Sequence, residues 1–323
     1  MCTQSFLPKH LRHASLLIFF LIAIIFPPQV SLAQADNPSP PAQPVKLIFI
    51  HHSTGENWLT DGYGELGRTL AENNYFVSDT NYGWGPEGIG DRTDIPDWLE
   101  WFRSDGTSTY MTAIFNDSDQ NSSYTRLLAD PGGENTIILF KSCFPNSALE
   151  GSPDDPPDPD GWLTVGHARY VYNEILKYFA TRPDKLFIVI TAPPLSDNTF
   201  AGNARAFNNW LVHDWLNENG YTLNNVAVFD FYNVLTSPDA HHRYTNGQIE
   251  HITTPNNTLA YPSEDDHPSI EGSRKATQEF VDLLNFYVHR WQTDAPQQQD
   301  IPAAPPSQSL ERPPEAAPPV EPI

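Results

Sequence analysis

The sequence predicts an α/β protein, a flavodoxin-like three-layer α/β/α fold with a five-stranded parallel sheet, and three observations lead there. Short apolar runs rich in β-branched and aromatic residues alternate with longer stretches of helical period, the pattern of strands covered by helices on both faces. Five such runs occur, at 46–50, 75–78, 136–141, 185–191 and 225–231, a number that suits a doubly wound sheet. The last helical stretch is the clearest, with Ala276, Phe280, Leu283, Leu284, Tyr287 and Trp291 recurring at three- and four-residue steps to make one buried stripe. A second amphipathic helix is expected near 204–216, where Phe207, Trp210, Leu211 and Trp215 share a face and read as core.

The composition changes at both ends of this region. Lys9 and Arg12 precede an apolar run over 14–26, followed by Pro27, Pro28 and Ser31-Leu32-Ala33, which reads as a secretory signal peptide at 1–33. The run is short of the roughly 20 residues that span a bilayer, so an uncleaved anchor is the weaker alternative and no membrane contact is expected after cleavage. From 293 to 323 the chain carries nine prolines and five acids against one arginine, too little apolar surface to offset the entropy of ordering, and a disordered tail is expected. One domain over 45–292 remains, in a secreted protein of the periplasm or extracellular medium.

Loss of the signal removes Lys9 and Arg12 but no acid, making the mature protein two charges more negative than the −22 of the whole chain. Such a field repels polyanions, and nucleic acid is excluded as a partner class. Cys2 leaves with the signal, so Cys143 is the single cysteine of the mature chain and no intramolecular disulfide forms.

In an open parallel sheet, ligands bind at the carboxyl ends of the strands, which directs attention to the residues just after each run. Ser53 follows the first strand in LIFIHHSTGENWL and opens a helix, where backbone N-H groups favour an oxyanion. A capping serine is the plain alternative. His267 lies in SEDDHPSIEGS, directly before the last helix and after Glu264, Asp265 and Asp266. A nucleophilic serine needs a base, and the base needs a carboxylate to fix its tautomer. The same acids also suit a solvated helix start.

A serine after the first strand and an acid-His pair before the final helix resemble the SGNH/GDSL hydrolases. His51-His52-Ser53-Thr54 stands where that family has Gly-Asp-Ser, so this is a divergent pattern. The resemblance implies a Ser53–His267–acid triad, with Glu264 at the family's position three before the histidine and Asp265 the second choice. It implies an oxyanion hole from the Ser53 N-H, the Gly90 N-H in GIGDRTD (Gly83 is the fallback) and the Asn146 amide in LFKSCFPNSAL. A turn glycine and a capping asparagine are the ordinary readings of the last two. The family also implies small-acyl esterases, including carbohydrate deacetylases, working without a cofactor.

Other residues admit competing readings. Cys143 also follows a strand, but a free cysteine with no family signature is more often inert. His51 and His52 alternate faces on a strand and do not readily share a metal, so no metal is expected. The aspartates of GSPDDPPDPDGW offer oxygens to calcium without a full ligand set and read as a solvated loop. Tyr82, Trp84 and Trp98 flank Gly90, where aromatic faces suit sugar rings or acyl groups, with Trp84 the candidate substrate contact; loop packing is the alternative. The expected function is therefore an esterase that removes O-acyl groups from a small-molecule or polysaccharide ester. A glycan O-acyltransferase and a non-catalytic carbohydrate-binding protein on the same scaffold are the alternatives.

Overall fold

The computed structural model describes residues 38–294; the expected signal peptide and proline-rich tail lie outside the described residues. Five strands, β1 (Val45–Ile50), β2 (Tyr75–Thr80), β3 (Ile137–Lys141), β4 (Leu186–Ile190) and β5 (Val226–Phe229), form one sheet in the order β2-β1-β3-β4-β5, every neighbour parallel. Helices α1 (Ser53–Leu59), α2 (Leu66–Glu72), α3 (Trp98–Arg103), α4 (Thr107–Asn116), α5 (Val165–Phe179), α6 (Ala201–His213), α7 (Trp215–Glu218), α8 (Phe231–Val234) and α9 (Ile270–Asp294) cover it. This is the expected three-layer architecture.

Alternation along each strand divides the core in two. Leu47, Phe49, Leu139, Ile188 and Phe229 pack with Trp58, Leu70, Phe280 and Leu284 on the face of α1, α2 and α9. Ile48, Ile50, Phe140, Val189 and Val228 pack on the other face with Trp98, Phe102, Ile175, Phe179 and Trp210. With both faces covered, β3, β4 and β5 are near-continuous apolar runs, as parallel strands should be. The stripe on α9 is buried as expected, from Ala276 to Trp291. The helix expected at 204–216 begins at Ala201 and is interrupted at Asp214, and its four aromatic and leucine positions are core.

An antiparallel hairpin, β6 (His241–Thr245) and β7 (Gln248–Ile252), was not expected from the sequence. Its signal was Asn246-Gly247, which turns with φ of 52° and 80°, the two-residue hairpin type that demands positive φ at both positions. Imidazoles clamp it to the domain. His242 Nδ1 accepts the Asp230 N-H at 2.9 Å, His251 Nε2 meets Asp230 Oδ2 at 2.6 Å, and Glu279 of α9 accepts the His242 N-H and faces His241 Nδ1. Because His242 accepts through Nδ1 in a buried site, it is held neutral, and burial pushes it down to about 3.

The unfolded chain therefore binds a proton at position 242 that the folded chain refuses between pH 6.5 and 3, so stability at this position is present above pH 6.5 and is lost as pH falls. His242→Asn, which keeps an acceptor but does not titrate, should reduce the stability lost between pH 7.5 and pH 5 by about 2 kcal/mol, measured by denaturant unfolding. An unchanged pH dependence would show that His242 is not buried neutral.

Candidate active site

Strand order reverses between β1 and β3, and in such sheets the crevice for ligands opens beyond their carboxyl ends. Ser53 is the third residue after β1 and Cys143 the second after β3, so both stand at this crevice. The Ser53 and Cys143 side chains approach to 3.6 Å between Oγ and Sγ.

The turn carrying Ser53 is fixed by the two histidines before it. His51 is fully buried, with Nε2 at 3.1 Å from Asp79 Oδ2 and Nδ1 at 2.9 Å from the His52 carbonyl. The ring thus links the Asp79 carboxyl of β2 to the backbone carbonyl just before α1. Burial pushes Asp79 up, but His51, Ser122 and Tyr124 outweigh it and hold the carboxyl below its ordinary value. His52 turns the other way: Nε2-H donates to the Gly90 carbonyl at 2.5 Å, Nδ1 accepts from Thr93 Oγ1 at 2.9 Å, and Tyr82 stacks on the ring at 4.0 Å. The two rings thus serve different faces, and among the described residues no cluster of His, Cys, Asp and Glu is arranged to hold a metal ion.

His267 reaches Ser53 across the crevice, its Nε2 at 2.8 Å from Ser53 Oγ. Both oxygens of Asp265 lie 2.9 Å from His267 Nδ1, and Oδ1 also accepts the His267 N-H at 2.9 Å. A carboxylate only accepts, so Nδ1 bears the proton and Nε2 of the neutral ring accepts from Ser53. The backbone and ring donors of His267 pull Asp265 down to about 2, which keeps it ionised at any working pH. The loop is braced by the Ser263 N-H on the His267 carbonyl, the Ser196 N-H on Asp266 and the Tyr63 hydroxyl on the Pro268 carbonyl. Phe144 sets its ring against His267 at 4.9 Å, edge to face.

The placement corrects several expectations. Glu264 is exposed and makes no hydrogen bond or ion pair among the described residues, because the tight turn brings the carboxylate two residues before His267, not three, back onto the ring. The Gly90 N-H is donated to the Trp84 carbonyl at 2.8 Å, and the Gly83 N-H to Asp91, so neither is free to meet an oxyanion. Gly90 is required for another reason: a Cβ there would lie 2.5 Å from the Asn81 carbonyl oxygen. The Asn146 amide donates to Asp94 at 2.6 Å and accepts the Ile95 N-H at 2.7 Å, fastening the loop before α3 without touching Ser53. Trp84 stacks on Trp101 and its Nε1 donates to Asp117, so it packs the loop, and Trp98 is core. Tyr82, 62% exposed on the ring of His52, is the aromatic left open at the rim. The proline-flanked aspartates cap their own loop, Asp158 accepting the Asp160 N-H and Asp155 the Ser152 N-H.

One neighbour of Ser53, Lys141, escaped the sequence reading, and another, Cys143, was read there as inert. Cys143 Sγ lies 2.9 Å from the Thr54 hydroxyl, and the Lys141 side chain, 1% exposed, lies buried beside it at the end of β3. The signal was their alternation, since residues two apart on a strand share a face.

No family model and no curated protein sequence matches the chain. Among solved structures, the periplasmic domain of a lipopolysaccharide acetyltransferase from Salmonella ser. Paratyphi A is similar at a TM-score of 0.38 and 8% identity, covering 75% of this chain and 84% of that one. A family two carbohydrate esterase from Cellvibrio japonicus is similar at 0.35 and 13% identity, covering 78% of this chain and 64% of that one. Likenesses this distant carry no argument about activity, which rests on the site itself.

The buried Asp79 carboxyl meets His51 and accepts from Ser122 and Tyr124, so altering it breaks a buried hydrogen-bond set. Asp79→Asn should cost about 3 kcal/mol, read as a drop in the denaturant midpoint. A change under about 1 kcal/mol would mean that this set does not anchor the turn before Ser53.

Proposed function

We propose that this protein is a secreted serine esterase, with Ser53 as nucleophile, His267 as general base and then acid, and Asp265 as the orienting carboxylate. The observation that carries the reading is the unbroken chain from Asp265 through His267 to Ser53 Oγ at the switch point of the sheet. Ser53 attacks the ester carbonyl as its proton passes to His267 Nε2, and Asp265 stabilises the imidazolium that forms. The alcohol leaves with that proton, and water activated by the same ring then releases the acid from the acyl-enzyme. The Ser53 N-H, at the first position of α1, has no acceptor within the helix and is placed to meet the developing oxyanion.

The substrate class follows from the rim and the charge. The open face of Tyr82 beside the nucleophile suits a sugar ring or an apolar acyl group. A strongly acidic protein favours neutral esters over phosphorylated or sulfated ones. Together with the resemblance to SGNH/GDSL hydrolases, these features support removal of small O-acyl groups from carbohydrate outside the cytoplasm.

Hydrolysis of an acetylated sugar and of p-nitrophenyl acetate tests the roles. Asp265→Asn should lower kcat by a factor on the order of 10² to 10⁴, whereas Glu264→Gln should stay within about twofold of wild type. Ser53→Ala should abolish turnover with the fold intact. Retention of most activity by Ser53→Ala would exclude the mechanism, and a large loss at 264 with little at 265 would return the acid to Glu264.

A further inference from the structure

Lys141 and Cys143 have no part in the mechanism above, yet they lie at its centre. The Lys141 ammonium is buried and donates to the Ser142 carbonyl at 3.1 Å, and among the described residues no carboxylate pairs with it. A buried cation without an acid is costly unless an anion stands near. The anion on offer is the Cys143 sulfur, whose charge and that of Lys141 stabilise one another. Cys143 Sγ also receives the Thr54 N-H and lies 2.9 Å from the Thr54 hydroxyl and 3.6 Å from that of Ser53. A structural cysteine in an apolar core needs no such set of polar neighbours.

We propose that Cys143 is a modification site, a nucleophilic thiol activated by Lys141 and Thr54, whose covalent capping by soft electrophiles or hydroperoxides closes the crevice at Ser53. Burial alone pushes the Cys143 thiol up, but the Lys141 charge and the hydrogen bonds with Thr54 bring it below its ordinary value, while burial pushes Lys141 down to about 8. The thiolate is the reacting form, and electropositive, partly exposed surroundings are what make a cysteine reactive. Cys143 is half-buried, which leaves it open to small reagents entering the crevice.

With a hydroperoxide, the Cys143 sulfur attacks the distal peroxide oxygen. An S-O bond forms as the O-O bond breaks, and the alkoxide or hydroxide leaves and takes up a proton from the medium. The sulfur is oxidised by two electrons to a sulfenic acid and the peroxide is reduced. A thiol such as dithiothreitol reverses the change by displacing the oxygen as water, through a mixed disulfide. The added group is bonded to a sulfur 3.6 Å from Ser53 Oγ, and the consequence for turnover rests on the esterase reading, whereas the reactivity of the thiol does not.

Iodoacetamide alkylation of the full mature protein near pH 7, followed by peptide mass mapping, separates the two. Cys143 should alkylate at least about tenfold faster than glutathione, and Lys141→Met should slow it about tenfold or more. Thr54→Val, which removes one donor and leaves the lysine in place, should slow it several-fold and serves where Lys141→Met does not fold. Hydrogen peroxide should inactivate wild type reversibly by dithiothreitol, with the sulfenic acid trapped at Cys143 by dimedone. Alkylation no faster than that of glutathione, or unaltered in the lysine and threonine variants, would overturn the proposal. Rapid alkylation without loss of ester hydrolysis would overturn the closure of the crevice and leave the reactive thiol standing.

Discussion

The placement of Ser53 depends on the buried pair between His51 and Asp79. Ser53 belongs to a seven-residue helix too short to fix its own position by hydrogen bonding alone. The pair ties the end of β1 to the end of β2, and the His51 ring holds the carbonyl of His52, which also accepts the first two bonds of α1 from Gly55 and Glu56. Gly55 is needed for this, because a Cβ there would lie 2.4 Å from Cβ of His51. A polar pair with both side chains fully buried is costly to assemble and more costly to break, which makes it a means of specifying one geometry more than a source of stability.

Histidines fill four different roles in this domain, and the atoms facing each ring decide which. His51 lies between the Asp79 carboxyl and the His52 carbonyl; His242 faces a backbone donor and is neutral; His52 faces a carbonyl and a hydroxyl and carries its proton on Nε2. Only His267 is left with a carboxylate on one nitrogen and a serine hydroxyl on the other. Its proton is the one free to move without dismantling the fold. The adjacent histidines that depart from the expected Gly-Asp-Ser motif therefore belong to the scaffold: one anchors the turn from below and the other anchors the loop through Gly90.

Sheet, helix α9 and the positions of Ser53 and His267 were legible in the sequence because each is written locally, as an apolar run, a stripe of fixed period, or a residue just past a strand. The hairpin was legible too, in Asn246-Gly247, but its flanking HHRYT and QIEHI are too polar for strands of a covered sheet. They stand because imidazoles bind them to Asp230 and Glu279, contacts between residues distant in sequence. The acid of the proposed triad could not be read from spacing, since Glu264 and Asp265 differ by one residue and only the turn geometry sets Asp265 against His267. The oxyanion donors failed for a related reason: a glycine or asparagine at the right place in the order says nothing of where its N-H is already spent, and Gly90 and Asn146 are both engaged by the loop they hold.

The central claim is that Ser53 is an activated nucleophile, and labelling tests it most directly. Purified mature protein treated with a fluorophosphonate, weighed intact and then mapped by peptides, should carry a single adduct on Ser53 that fails to form in His267→Ala. An adduct on any other residue, or none in protein shown to be folded, would contradict it.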